Sequence, residues 1–146
     1  MNDTAGSGSV RTPALTLDGP AGNGPPPLAA VRRWIADLLA DLGEDHRSAV
    51  LLVATELVTN AYAHTPGPVQ LRLRRELSPC CVHVEVDDRT PYAPAIRIPE
   101  PGTPGGRGLL LVDRLANAWG SSAATGSGKT VWAIIDCGSY PWAPCA

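Results

Sequence analysis

No stretch of the 146 residues approaches the roughly 20 consecutive apolar residues that a membrane-spanning helix needs. An excess of either charge is also missing. Twelve Lys and Arg stand against fourteen Asp and Glu, a formal net charge of −2, so there is neither a basic field for nucleic acid nor an acidic tail. The first residues lack a charged segment followed by an apolar one, so no secretory signal is read and a cytoplasmic location is expected. Of the four cysteines, Cys80 and Cys81 are adjacent, and neither they nor Cys137 and Cys145 form a Cys-x-x-Cys pair. No histidine pair accompanies them at zinc-site spacing, which makes incidental reduced thiols the expectation. His46, His64 and His83 are too scattered in sequence to suggest a metal site.

What remains is an ordinary globular composition. A hydrophobic fraction of 44% in a chain of this length gives one domain with a real core. Gly and Pro are plentiful, 15 of each, and they cluster. One cluster fills residues 1–27, another runs from Pro91 to Gly108, and a third follows Asp136. The first and third read as tails, residues 1–27 and 137–146, around a folded unit of residues 28–136. Ala14 to Asp18 has the pattern of a short edge strand within the first. The middle cluster is a loop of about eighteen residues inside a compact domain, and loops of that length are uncommon unless they serve a function.

Between the clusters the periodicities are legible. Leu28, Val31, Ile35, Leu38 and Leu42 repeat at three and four, an amphipathic helix that Gly43 stops. Asp45 is the expected N-cap of a second helix that reaches about Ala63 and ends at Pro66-Gly67-Pro68. Val69, Leu71 and Leu73 alternate with Gln70, Arg72 and Arg74, and Val82, Val84 and Val86 alternate with His83, Glu85 and Asp87, giving two half-buried strands. Arg72, Arg74 and Arg75 then belong to the solvated face or end of a strand. A short buried helix is expected over Leu109–Ala116, with strands over Ala118–Ser121 and Thr130–Asp136 around a turn at 125–128. The order helix, helix, strand, strand, loop, helix, strand, strand predicts an α+β two-layer sandwich: a mixed, mostly antiparallel sheet with helices on one face.

Four motifs carry chemistry. Glu56 and Asn60 lie four apart in an apolar helical run and share one face. Burying that pair unpartnered would cost several kcal/mol, about 2–7 for an uncompensated polar group. Either a magnesium-bound phosphate chain or a neighbouring polar groove therefore meets it. Asp88 follows Val82, Val84 and Val86 in alternation, so it points to the core side while Asp87 points to solvent. A carboxylate at the mouth of a core wants a donor such as the exocyclic amine of a purine, or else it caps the loop as an Asx-turn. Gly105-Gly106-Arg107-Gly108-Leu109 precedes a helix, where free N–H groups face an anion and Arg107 could meet a terminal phosphate; a plain flexible loop end has the same composition. Gly126-Ser127-Gly128-Lys129-Thr130 resembles a P-loop, but position 123 is Ala and a strand, not a helix, follows Thr130. The P-loop reading fails, and a hairpin turn fits better.

In this order, Glu56-x-x-x-Asn60, Asp88, Gly106-x-Gly108-Leu109 and Lys129-Thr130-Val131-Trp132 resemble the ATP-binding domain shared by gyrase-type ATPases, heat-shock chaperones and histidine kinases. Length and spacing are most similar to the anti-sigma-factor serine kinases, in particular the short actinomycete type. The resemblance covers about residues 28–136. It implies a left-handed sandwich with ATP between the second helix and the long loop, which acts as a lid. By position, Asn60 would coordinate Mg2+, Glu56 would be the general base or orient the nucleophile, and Asp88 would accept from the adenine amine. Thr130 would support the same edge of the base. Gly106, Arg107, Gly108 and Leu109 would close over the phosphates.

The family commonly has Asp-x-Gly-x-Gly after the strand, whereas Asp88 is followed here by Arg89, Thr90, Pro91 and Tyr92, which stiffens the start of the lid. The resemblance implies an anti-sigma factor with serine/threonine kinase activity on a small antagonist protein. It would have a sigma factor as its second partner, contact neither nucleic acid nor membrane directly, and leave room for a homodimer. Two alternatives stay open: a non-catalytic nucleotide-dependent binding switch, and the separate ATPase part of a histidine kinase system.

Overall fold

The computed structural model describes residues 12–17, 26–64, 68–77, 80–89, 107–123 and 128–137. Most of the long loop, with Gly106, and the greater part of both tails, with Cys145, lie outside these residues.

Among the described residues, eight elements follow in the order β1 (Ala14–Leu17), α1 (Leu28–Leu38), α2 (Glu44–His64), β2 (Val69–Leu77), β3 (Cys80–Asp88), α3 (Arg107–Leu115), β4 (Ala118–Ala123) and β5 (Lys129–Asp136). The strands form one sheet in the order β1-β2-β3-β5-β4, and every pairing is antiparallel. The chain is thus α+β, an open antiparallel sheet with three helices. β1 takes the edge position beside β2, pairing Leu15 with Leu71 and Leu17 with Val69.

Period-two alternation decides which face is covered. Val69, Leu71 and Leu73 of β2, Val82, Val84 and Val86 of β3, and Val131, Ala133 and Ile135 of β5 are all buried on the helix side. From α2, Val50, Val53, Ala54, Leu57, Val58 and Ala61 pack down onto them, joined by Val31 and Ile35 of α1 and by Leu109 and Val112 of α3. Each such Val, Leu or Ile contributes about 1.5–3 kcal/mol when fully buried. The other face is polar. Arg72 donates to Glu85 at 3.3 Å and pairs with Asp87, while His83 meets Glu76 at 3.0 Å and Arg74 at 2.9 Å. The Arg-rich strand is therefore matched by acidic neighbours.

Boundaries differ from the sequence expectation where local geometry intervenes. α1 ends at Leu38, with Leu39 N–H bonded to Ile35 O at 2.9 Å, and a turn replaces the last expected residues. α2 begins at Glu44, so Asp45 lies inside its first turn rather than at its cap; Gly43 O takes the first helical bond, from Arg47 N–H, at 2.9 Å. Two acids in that turn suit the positive end of the helix dipole instead. α3 begins at Arg107, two residues before its expected start, and β5 extends back to Lys129. Among the described residues no helix is long and apolar enough to cross a membrane.

Candidate functional site

The site is built at the end of β3. Alternation puts Asp88 on the helix side with Val82, Val84 and Val86, and its side chain is 1% exposed. Antiparallel pairing with β5 sets Asp88 opposite Lys129, which alternation with Val131 and Ala133 also turns inward. Lys129 Nζ donates to Oδ1 of Asp88 at 3.0 Å and to Oδ2 at 2.9 Å. A buried carboxylate thus meets a buried ammonium.

Gly128, just before Lys129, is required by this arrangement. A Cβ there would collide with the backbone oxygen of Asp88. The glycine read from sequence as a hairpin residue is what lets the start of β5 approach the end of β3.

The neighbouring residues of both strands face the other way. Asp87 is 27% exposed on the outer face, where it pairs with Arg72 and accepts a hydrogen bond from Thr130 Oγ1 at 2.5 Å. Thr130 and Asp88 are therefore not brought together: they lie on opposite faces of the sheet. The residue that meets Asp88 is Lys129. The sequence signalled only that Lys129 turns inward, through Val131, Ala133 and Ile135; its place opposite Asp88 comes from the register of β3 and β5.

Glu56 and Asn60 lie one turn apart on α2, both half-buried at the border of its packed face. Thr55 and Thr59 nearby bond to their own helix, to Leu52 O at 3.1 Å and Thr55 O at 2.7 Å. Glu56 and Asn60 have no hydrogen-bond or ion-pair partner among the described residues. α2 starts where His46 meets β5. From there to Asn60 it extends about 21 Å, against about 26 Å for β3 from Cys80 to Asp88.

α3 packs against α2, the helix that carries Glu56 and Asn60. Arg107 and Gly108 occupy its first turn, whose N–H groups lack helical partners and suit an anion. Leu109 contributes its side chain to the core, which leaves its backbone N–H as what it can offer a ligand. Gly106 lies outside the described residues.

An open antiparallel sheet under three helices, with an inward carboxylate at a strand end and a helix carrying a carboxylate and a carboxamide, has the parts of an α+β nucleotide-binding domain. A family model described as the histidine kinase-like ATPase domain matches residues 24–135. The chain belongs to that family. Domains of this kind bind ATP, usually with Mg2+. No curated protein matches the chain.

Proposed function

We propose that this histidine kinase-like ATPase domain is an anti-sigma factor that uses ATP to phosphorylate a Ser or Thr of a small antagonist protein. The sigma factor itself would be held by direct contact. The observation that carries the reading is the Glu56–Asn60 pair, half-buried one turn apart and without a partner among the described residues. Phosphoryl transfer asks for positioning and electrostatics rather than covalent work by the protein, and this pair supplies one candidate of each kind.

Asn60 carries a hard amide oxygen of the type Mg2+ takes. When bound, Mg2+ would supply positive charge against the phosphates. Glu56, one turn earlier, would accept the proton of the attacking hydroxyl or orient it. Asp88 would read the adenine amine. Lys129, and not Thr130, shares the inner face with it. The backbone N–H groups of Arg107, Gly108 and Leu109 would receive phosphate oxygens.

The test is to incubate the full chain with ATP labelled at the terminal phosphate and a cell lysate, then identify which small protein takes up label. A labelled Ser or Thr on a small acceptor supports the kinase reading. Tight ATP binding with no labelled protein would leave a nucleotide-dependent binding switch, and labelled His would make the chain a part of a histidine kinase system.

A further inference from the structure

We propose that His46, Cys80 and Cys137 form a binding site for a soft divalent cation, with zinc as the natural occupant, at the end of the sheet opposite Asp88. One ligand atom from each of the three residues lies within 4.8 Å of the others. Cys80 Sγ and His46 Nδ1 are 3.9 Å apart. In a tetrahedral zinc site with Zn–S of about 2.3 Å and Zn–N of about 2.05 Å, sulfur and nitrogen stand about 3.6 Å apart and two sulfurs about 3.8 Å. The donors therefore need to close by about 1 Å at most.

The fold brings these residues together from three elements. The register that pairs Cys81 with Asp136 sets Cys80 across from Cys137, on the inner face, because both continue the alternation of buried residues on their strands. His46, fully buried in the first turns of α2, comes down over this end of the sheet. Its Nε2 is 2.8 Å from Ile135 O. A carbonyl can only accept, so the ring proton sits on Nε2 and the lone pair of the neutral imidazole sits on Nδ1, the atom beside Cys80. A histidine fixed by a backbone carbonyl through one nitrogen while the other lies beside the Cys80 thiol has the outer-shell arrangement of a metal ligand.

Charge favours a divalent ion. Two thiolates and a neutral imidazole cancel a 2+ charge within a largely buried setting, where net charge is costly. Binding releases the two thiol protons, and a fourth position remains for water or another donor.

A second cluster shows by contrast what a site requires. Glu76, Cys81 and His83 also converge, on the outer face. There His83 Nε2 meets Glu76 at 3.0 Å and its Nδ1 accepts from Arg74 at 2.9 Å, so both ring nitrogens are committed and a guanidinium sits alongside. In the inner cluster the His46 nitrogen that does not meet Ile135 O lies beside a cluster member, Cys80.

The site shares no residue with the proposed nucleotide site, so it is tested without ATP. The full chain, reduced and stripped of metal, is titrated with Co2+. One equivalent should produce thiolate-to-cobalt charge transfer and the visible bands of a tetrahedral ion, and one equivalent of Zn2+ should abolish them. Cys80→Ser and Cys137→Ser should each weaken binding at least tenfold, and Cys81→Ser should not. Cys80→Ala, which preserves apolar packing, guards against loss of fold, and far-ultraviolet circular dichroism checks each variant. Zn2+ should also raise the Tm of the wild type and leave that of Cys80→Ala unmoved. A wild type without charge transfer, a spectrum that survives both Cys80→Ser and Cys137→Ser, or one lost in Cys81→Ser instead would each overturn the proposal.

Discussion

Lys129 Nζ bridges both carboxylate oxygens of Asp88, at 3.0 and 2.9 Å, with the two side chains 5% and 1% exposed. A pair this deeply buried contributes little net stability against an apolar substitute, yet breaking it from one side costs about 3–5 kcal/mol because a charge is left uncompensated. Asp88→Asn and Lys129→Met should each lose stability on that scale in urea denaturation. The double variant should lose less than the more damaging single. Losses that simply add would show that the two groups are not coupled.

This coupling changes how nucleotide binding at Asp88 must be measured. Asp88→Asn alone perturbs fold and ligand together, whereas Asp88→Asn combined with Lys129→Met isolates the ligand. ATP affinity of that double variant should fall about ten- to a hundredfold, the equivalent of one charge-assisted hydrogen bond of roughly 1.5–3 kcal/mol. Asp87→Asn should change affinity little, since Asp87 faces the other side of the sheet and its pair with Arg72 is partly exposed. Calorimetry decides between them, and a weaker Asp87→Asn would place the base on the wrong face.

Gly128 and Gly120 make a matched comparison. A Cβ at Gly128 would run into the backbone oxygen of Asp88, which cannot move without distorting β3. At Gly120 it would approach Cζ2 of Trp132 at 3.0 Å, and a side chain can tilt. Gly128→Ala should therefore cost about 1–3 kcal/mol, the usual scale of forced overpacking, and Gly120→Ala less, with a change in tryptophan fluorescence. Equal costs in chemical denaturation would mean that the start of β5 is looser than its contacts indicate.

The alternation of Val82, Val84 and Val86 was enough to turn Asp88 inward and Asp87 outward, and the helical spacing of Glu56 and Asn60 put both on one face. Such regularities are local, and local pattern survives in sequence. The partner of Asp88 did not, because β5 reaches β3 only after the chain has passed through α3 and β4, and the register across that gap is set by packing. The same holds for His46, Cys80 and Cys137. Scattered in sequence, they read as incidental, and only the β3–β5 pairing and the seating of α2 bring them together. Asp45 failed as a cap for a smaller reason: Gly43 takes the cap position two residues earlier.

Arg75 Nη1 donates to Asp41 Oδ1 at 2.7 Å, tying β2 to the turn after α1. That hydrogen bond, then Asp41's own backbone bond and the guanidinium charge, hold the Asp41 carboxyl below its ordinary value. A group whose pKa falls on folding adds stability above the unfolded value, near pH 4, and loses it as pH drops through the folded value. Asp41→Asn should accordingly lower the Tm slightly at pH 7, with the difference vanishing toward pH 2. Because Asp41 is exposed, salt should shrink the difference as well. A gap that persists unchanged in strong acid would sever it from this carboxylate.

Glu56 and Asn60 should separate catalysis from binding. They share a face, differ in charge, and have no partner among the described residues, so each can be changed with little effect on the fold. Asn60→Ala removes the proposed oxygen ligand, and the magnesium-dependent part of ATP affinity should go with it. Affinity measured in the presence of a chelator should stay as it is in the wild type. Glu56→Ala should bind ATP nearly as well as wild type while transfer to the acceptor protein falls about 10²–10⁴-fold, the scale of a lost general base. Restoring a carboxylate one methylene shorter, Glu56→Asp, should recover part of the rate, whereas a merely structural role would show as lost stability in Glu56→Ala. If Glu56→Ala transfers phosphate at the wild-type rate, the proton acceptor is another group and the assignment of α2 as the catalytic helix fails.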